Sequence, residues 1–206
     1  MKLILLTCVQ GRLSTVEQCI EWSPDIDRLV IYSDQQDGEF LQDKVKHLFQ
    51  HPNQPLSEKW NYGLKKLQDI DFTHVVMMGS DDYFNQPFLD YITKTAPLYD
   101  MIGFSDMYFM NSANERYYWP GYQNERRGEP AGAGKVYSRE FLEKVGFNLF
   151  PIKRPRGLDG QSWAITNHYK AKIKISSLKD EGLWLCDIKD GKGITPINNI
   201  RPLIRV

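Results

Sequence analysis

HVVMMGSDDYF, running from His74 to Phe84, is the stretch on which the reading of this chain turns. Val75, Val76, Met77 and Met78 form a short apolar run closed by a turn residue, Gly79, the pattern of a strand buried on both faces. Asp81 and Asp82 stand at its carboxyl end. Adjacent carboxylates raise each other's pKa unless a cation or several donors neutralise them. The pair therefore points to a divalent metal, and oxygen ligands at a strand end suit Mg2+ or Mn2+ with positions left open for substrate phosphates. A solvated turn after a strand is the plainer alternative.

The segments upstream fit the same scheme. Leu3 to Val9 reads as a buried strand, and Gln10-Gly11-Arg12 as a turn into a helix, with Ser14 and Glu17 at capping-box spacing and Val16, Ile20 and Trp22 as its apolar side. Arg28 to Tyr32, RLVIY, supplies the next parallel strand, ending at Ser33-Asp34 before a polar turn, Gln35 to Gly38. In an open parallel sheet ligands gather beyond the carboxyl ends of the strands, so Thr7 to Arg12, Asp34 and Asp81-Asp82 are expected on one rim. The fold class is α/β, with a mostly parallel central sheet flanked by helices.

Further along, Phe40 to Phe49 carries apolar residues at helical spacing, and Asn53 to Gln68 opens with turn residues and becomes a helix from about Ser57. Trp60, Leu64 and Leu67 share one face of that helix, whereas Lys59 falls on another, where a lysine is ordinarily solvated. Pro87 to Thr95 reads as a helix with Pro near its start, and Met101 to Met110 as a strand. The aromatic run Tyr117 to Trp119 suits either a core or a sugar-stacking platform. Small residues from Ala131 to Gly134 let the backbone approach a ligand closely or make a tight bend, and Ser138 caps a helix starting at Arg139. A basic loop, Lys153-Arg154-Pro155-Arg156, precedes Gly157-Leu158-Asp159-Gly160 and a helix from Gln161 to about His168; it is either solvated or suited to an anionic substrate. Lys172 to Ser176 and Gly182 to Ile188 read as strands, and the tail from Asp190 as a loop that covers something or hangs free.

Composition narrows the classes. The 206 residues fit one domain, with 25% charged and 41% hydrophobic residues and a formal net charge of zero. A protein that coats nucleic acid is normally basic overall, so any such contact must come from a local patch. Cys8, Cys19 and Cys186 are an odd number without metal-ligand spacing, which argues against a disulfide framework and for a reducing cytoplasm. Leu3 to Leu6 is too short for a signal-peptide core, and no other segment approaches the length of a membrane span. None of the four histidines pairs with Ser, Cys or another His at a catalytic spacing.

The order of these segments resembles the GT-A fold glycosyltransferases, in particular the family 2-like group. The match rests on N-x-P-L-S-x-K-x-N-x-G-L, Asn53 to Leu64, followed by V-V-M-M-G-S-D-D, Val75 to Asp82. The segment A-G-A-G-K-V-Y-S-R-E and the run G-L-D-G-Q before a late helix follow in order, so the resemblance covers Leu3 to His168. It implies a nucleotide-sugar part over about residues 1–100 and an acceptor part over about 101–206. By the same resemblance Thr7, Gln10, Arg12 and Asp34 hold the nucleotide, joined by Lys59, Asn61 and Asp81, while Asp82 binds Mn2+ or Mg2+ on the diphosphate. Gly79 and Ser80 stand where the family often has an acidic residue, and no C-terminal His completes the metal site. Asp187 or Lys189 is the available substitute, the lysine by neutralising phosphate directly. Arg154 and Arg156 are further contacts to diphosphate or acceptor, and Asp159 matches the family's catalytic base, although an acid there also suits a helix N-terminus.

These expectations amount to a metal-dependent, inverting glycosyltransferase using a nucleotide-sugar, with UDP-sugar as the default donor. A nucleotidyltransferase shares the layout, but a Gly-rich, basic phosphate loop after the first strand is missing. A catalytically inactive carbohydrate- or nucleotide-binding domain of the same fold is the alternative from another class. The acceptor is open among saccharide, protein, lipid-linked sugar and hydroxymethylated DNA bases, the last as in phage-type glycosyltransferases, with Arg126-Arg127 and the basic loop available to an anionic acceptor.

Overall fold

A computed structural model describes residues 1–191 and 196–206 of the chain. In chain order the elements are β1 (Leu3–Val9), α1 (Leu13–Trp22), β2 (Asp27–Tyr32), α2 (Gln35–Leu41), β3 (His47–Gln50), α3 (Leu56–Lys66), β4 (His74–Met78), β5 (Asp82–Phe84) and α4 (Gln86–Thr95). They continue with β6 (Met101–Phe104), β7 (Met107–Asn111), β8 (Arg116–Trp119), β9 (Lys135–Ser138), α5 (Arg139–Lys144), α6 (Leu158–His168), β10 (Ile173–Ser176), β11 (Leu185–Lys189) and β12 (Ile204–Arg205).

Seven strands form the main sheet in the order β10-β6-β9-β4-β1-β2-β3. Every pairing in it is parallel except those of β9, which runs antiparallel to both β4 and β6. All five residues of β4 are buried, as the apolar run required. Period-2 alternation sends Ile4, Leu6, Leu29, Ile31, Val75 and Met77 to one face of the sheet, against Leu64 of α3 and Phe141 of α5. Leu5, Val76, Met78 and Ile102 go to the other, against Phe88 and Ile92 of α4. Phe88 is wholly buried and its ring lies 5.0 Å from that of Phe104; truncating such a side chain costs about 3–5 kcal/mol.

A second, five-stranded sheet, β12-β8-β7-β11-β5, was not foreseen from the sequence. It divides the expected strand Met101 to Met110 in two, because Asp106 is buried between the halves. Its carboxylate accepts from Tyr118 Oη at 3.0 Å, Ser177 Oγ at 2.8 Å and the backbone N–H groups of Leu178 at 2.6 Å and Lys179 at 3.2 Å. The chain therefore leaves the first sheet at Phe104 and enters the second at Met107.

Other boundaries also need correction. The helix expected over Phe40 to Phe49 is instead the end of α2, a turn and β3, since Leu48 and Phe49 pair in parallel with Val30 and Ile31. The expected turn at Gln35 to Gly38 opens α2, where Gly38 lies so close to Tyr32 that a β-carbon would sit 2.6 Å from its ring. Ser14 is inside α1 and does not cap it; Gly11 and Arg12 both take positive φ, 61° and 53°, and the first helical bonds run to Arg12 O. Helix α6 starts at Leu158, ahead of Gln161, and β11 starts at Leu185. Ser138 does cap α5, accepting from Phe141 N at 3.1 Å. The three cysteines are free thiols. Part of the tail from Asp190, residues 192–195, lies outside the described residues; beyond it β12 pairs with β8. Among the described residues no helix is long and apolar enough to cross a membrane.

Candidate functional site

Because β1, β2 and β4 are adjacent and parallel, their carboxyl ends coincide. Thr7 is level with Met78, and Val9 with Tyr32. Gly11, Arg12, Asp34 and Asp81-Asp82 follow directly, so the expected rim forms. Arg12 donates to Asp81 Oδ2 at 3.1 Å and to Asp190 Oδ1 at 3.4 Å. Its position is set by Asp37, a residue the sequence reading missed, whose buried carboxylate receives Gly11 N at 3.1 Å through each oxygen.

The second sheet completes the acidic cluster. Residues 82 and 187 are partners on the antiparallel ladder of β5 and β11, so Asp81, Asp82 and Asp187 each bring an oxygen within 4.8 Å of the others. Gly79 makes room for this: a β-carbon there would lie 2.8 Å from both Asp81 Oδ1 and Asp82 Oδ2, and its N–H donates to Asp82 Oδ2 at 2.5 Å. Lys189 donates to Asp187 Oδ2 at 2.5 Å. Asp82 Oδ1 and Asp187 Oδ1 remain buried without a hydrogen-bond partner among the described residues.

Burial, then Asp187 and Asp81, holds the Asp82 carboxyl well above the usual carboxylate range. Burial and Asp81 push Asp187 up to about 7, with Lys189 and Arg12 pulling it back. Asp81, Asp82, Asp187 and Asp190 thus share two cations, Arg12 and Lys189, and two hard oxygen atoms, Asp82 Oδ1 and Asp187 Oδ1, are left over. That donor set could hold Mg2+ or Mn2+, which take oxygen ligands and keep open positions. Of the two substitutes for the family's missing histidine, Asp187 lies in the cluster as a third carboxylate and Lys189 as its counter-charge.

The remaining site residues have varied surroundings. Thr7 is buried, its Oγ1 without a partner among the described residues, and it borders with Asp82 a cavity of about 30 Å³ beneath α1. Gln10 and Asp34 are exposed on the rim. Lys59 is wholly buried, not solvated: its Nζ donates to Val9 O at 2.5 Å, Ser33 Oγ at 2.7 Å and Asn53 Oδ1 at 3.2 Å, tying the ends of β1 and β2 to the turn before α3. Burial lowers its pKa. Asn61 is engaged with the chain at 148–150, donating to Asn148 Oδ1 and Phe150 O at 2.8 Å and accepting from Phe150 N at 3.2 Å. The basic loop is docked through its backbone, Arg154 N to Ser57 Oγ at 2.8 Å and Ser57 N to Arg154 O at 3.1 Å, which leaves Arg154 and Arg156 exposed.

Asp159 lies in the first turn of α6, half-buried, with its carboxylate folded over Gly132. A β-carbon at residue 132 would fall 2.4 Å from Asp159 Oδ1, so the backbone at Gly132 comes close to this side chain. Lys135, 2% exposed and missed from sequence, donates to Asp159 O at 3.2 Å and Ser162 Oγ at 2.9 Å. Burial lowers the Lys135 pKa and Asp159 raises it again. The guanidinium of Arg126 lies 3.8 Å over the Tyr122 ring. Gly134 bends back at φ 75° and donates to Met77 O at 2.9 Å, which joins this second group of polar side chains to the carboxyl end of β4.

No family model matches the chain, and no curated protein matches its sequence. Solved structures do match. S. aureus TarS 1–349 in complex with UDP-GlcNAc superposes with a TM-score of 0.56 at 16% identity, over 95% of this chain and 62% of that one. CMP:2-keto-3-deoxy-manno-octonic acid synthetase complexed with CTP gives 0.54 at 9% identity, over 95% and 94%. The fold is GT-A-like. A197 from STIV is a further match, with a TM-score of 0.50 at 15% identity, covering 86% of this chain and 82% of that one. The chain spans less than two thirds of the TarS structure, and identities this low establish the fold alone.

Proposed function

We propose that this protein is a nucleotide-sugar-utilising transferase, and specifically a glycosyltransferase that works with Mn2+ or Mg2+. The observation that carries the reading is the pair of buried oxygens without a partner among the described residues, Asp82 Oδ1 and Asp187 Oδ1, beside Asp81 on the rim of a GT-A-like sheet. Asp82, Asp187 and Asp81 would hold the cation, which would supply charge for the leaving diphosphate. Arg12 and Lys189 orient the carboxylates and add positive charge at the same place. Exposed Gln10 and Asp34 meet the nucleoside, Thr7 borders the cavity beside Asp82, and Lys59 and Asn61 act from beneath by fixing the strand ends and the chain at 148–150. An acceptor hydroxyl attacks the anomeric carbon, the bond from that carbon to the diphosphate oxygen breaks with its electron pair leaving on the diphosphate, and Asp159 takes the hydroxyl proton. Similarity to TarS bound to UDP-GlcNAc favours a UDP-sugar donor. Arg154 and Arg156 are free to meet the diphosphate or an anionic acceptor.

The test is titration calorimetry of UDP and UDP-GlcNAc with Mn2+ or with chelator, on the wild type and Asp82→Asn. Binding that requires Mn2+ and is lost in the variant is expected. Equal binding in all four conditions overturns the metal-dependent reading. Nucleotidyl transfer is the second reading, favoured by the near-complete mutual coverage with the CTP-bound synthetase. Pyrophosphate release from CTP or UTP in the presence of sugar acids or sugar phosphates, without turnover of UDP-sugars, would select it.

A further inference from the structure

Lys135 is a buried charge that the proposed reaction leaves unused. It opens β9 opposite Met77, one residue short of the carboxyl end of β4, and so lies just beneath the rim. The residue is 2% exposed. Its Nζ donates to Ser162 Oγ at 2.9 Å and to Asp159 O at 3.2 Å, and it forms no ion pair among the described residues. An ammonium withdrawn from water without a counter-ion in contact is costly. Burial works against its charge, Asp159 supports it, Arg126 opposes it and Glu129 supports it. Arg126 is already paired, with Glu129 at 2.8 Å, so Lys135 is the cation of this group with no counter-charge of its own.

The fold itself does not need a lysine there. Ser162 Oγ donates to Asp159 O at 3.0 Å, which closes the first turn of α6 without the ammonium. Exchanging an isolated buried charge for an apolar side chain of similar volume is often neutral or stabilising. A charge kept at the expense of stability points to what lies beside it, because functional sites are where such costs are carried. Beside it is Asp159, whose main-chain oxygen accepts from Nζ and whose half-buried carboxylate lies over Gly132.

We propose that Lys135 is a positioning residue for Asp159: it fixes the main chain of the first turn of α6 and sets a buried positive charge beneath the carboxylate, so that the acceptor hydroxyl meets an oriented, charged base. The inference rests on the reading of Asp159 as that base. Lys135 is too deeply buried to touch either substrate, and its effect passes through Asp159 alone.

The test follows UDP release from UDP-GlcNAc with Mn2+, where water is the acceptor and gives its proton to Asp159, together with calorimetry of UDP-GlcNAc and thermal melts. Lys135→Met should hold or raise the melting temperature, keep UDP-GlcNAc affinity within a few-fold and lower kcat about tenfold or more, the scale of a misplaced reacting group. In the Asp159→Asn background the same change should leave kcat within about twofold, because a residue that acts only through the base has nothing left to act on. A melting temperature lowered by more than about 4 °C, or loss of cooperative melting, makes the lysine a support of the fold and overturns the inference. So does an equal fall of kcat in both backgrounds, or loss of donor affinity in Lys135→Met. Slow turnover in Asp159→Asn beside normal turnover in Lys135→Met rejects the inference and leaves the base reading standing. Asp159→Asn releasing UDP no more slowly than the wild type removes the base reading, and the inference with it.

Discussion

Asp187 on β11 lies opposite Asp82 on β5 across an antiparallel ladder, so two carboxylates that the sequence keeps far apart become neighbours through backbone register. Asp82 is buried and Asp187 half-buried, and each has a buried oxygen, Oδ1, with no hydrogen-bond partner among the described residues. Such an arrangement is unfavourable for the metal-free fold and favourable for binding a cation, and the two consequences can be measured separately.

Asp187→Asn should therefore stabilise the metal-free protein by about 1–2 kcal/mol at neutral to mildly alkaline pH, the scale of one removed buried like-charge contact. It should also lose the rise in melting temperature that Mn2+ gives the wild type. Urea titrations in chelator and melts in Mn2+ read the two effects. A variant less stable than the wild type in chelator would mean that Lys189 and Arg12 already compensate the cluster.

Asp106 has the opposite character, since each of its neighbours is a donor. Asp106→Ala would strand the Leu178 and Lys179 N–H groups and the hydroxyls of Tyr118 and Ser177. A loss of about 3 kcal/mol is expected from the buried donors left unsatisfied. Chemical denaturation measures it, and a loss below about 1 kcal/mol would show that the turn at 177–179 relaxes to find other acceptors.

His74, at the start of β4, gives the fold an acid-sensitive element. Burial lowers its pKa from 6.5, with Ala96 O and Glu140 acting the other way and the chain's amino terminus adding to the lowering. A histidine with a depressed folded pKa contributes nothing above its unfolded value. As pH falls below 6.5 the unfolded chain takes up the proton first, and stability is lost until the folded pKa is reached. The slope of stability against pH below that value should be shallower in His74→Gln than in the wild type, and equal slopes would exclude the histidine as its source.

The exposed arginines of the docked loop give a salt-dependence test. Arg154→Ala/Arg156→Ala should leave the melting temperature within about 1–2 °C, as surface changes do. It should weaken UDP-sugar or acceptor binding and flatten the dependence of that affinity on salt. Identical salt slopes in wild type and variant would leave both side chains simply solvated.

What could be read beforehand depended on whether a feature was local. The strand Val75 to Met78, its terminal carboxylates and the parallel strands beside it were legible because burial on both faces writes a continuous apolar run. Helix α4 and the Ser138 cap were legible for similarly local reasons. Residues 47–50 misled because Leu48 and Phe49 continue a helical spacing from Phe40, and only pairing with β2 makes them a strand. The second sheet was invisible because β5 has three residues and β12 two, too few for alternation to show. Asp187 could be offered only as a substitute for a missing ligand, since its place beside Asp82 is decided by strand register. Lys59 was legible as part of a motif but its burial was not, and Lys135 was not singled out: a lysine's burial depends on acceptors brought by other elements, here Val9 O and Ser162 Oγ.

Asp159 is the proposed base. Asp159 is held in the first turn of α6 with its carboxylate against the backbone of Gly132, while Lys135 grips its carbonyl from below. Asp159→Asn keeps the shape and removes the proton acceptor. It should leave UDP-sugar affinity within a few-fold and lower kcat roughly 10²-fold or more, the usual scale for a positioned base. Gly132→Ala tests position without touching the carboxyl group. The added β-carbon would meet Asp159 Oδ1 at 2.4 Å, so the carboxylate must swing away. Misplacement of a reacting group by this much costs on the order of tenfold to a hundredfold in rate, so kcat should fall while donor affinity again holds. Both variants should still melt cooperatively, because neither removes a buried apolar contact. Near-normal turnover in Asp159→Asn, or a product that retains the donor's anomeric configuration, would take the base role from Asp159. Loss of donor affinity in Gly132→Ala would instead place that carboxylate on the nucleotide-sugar.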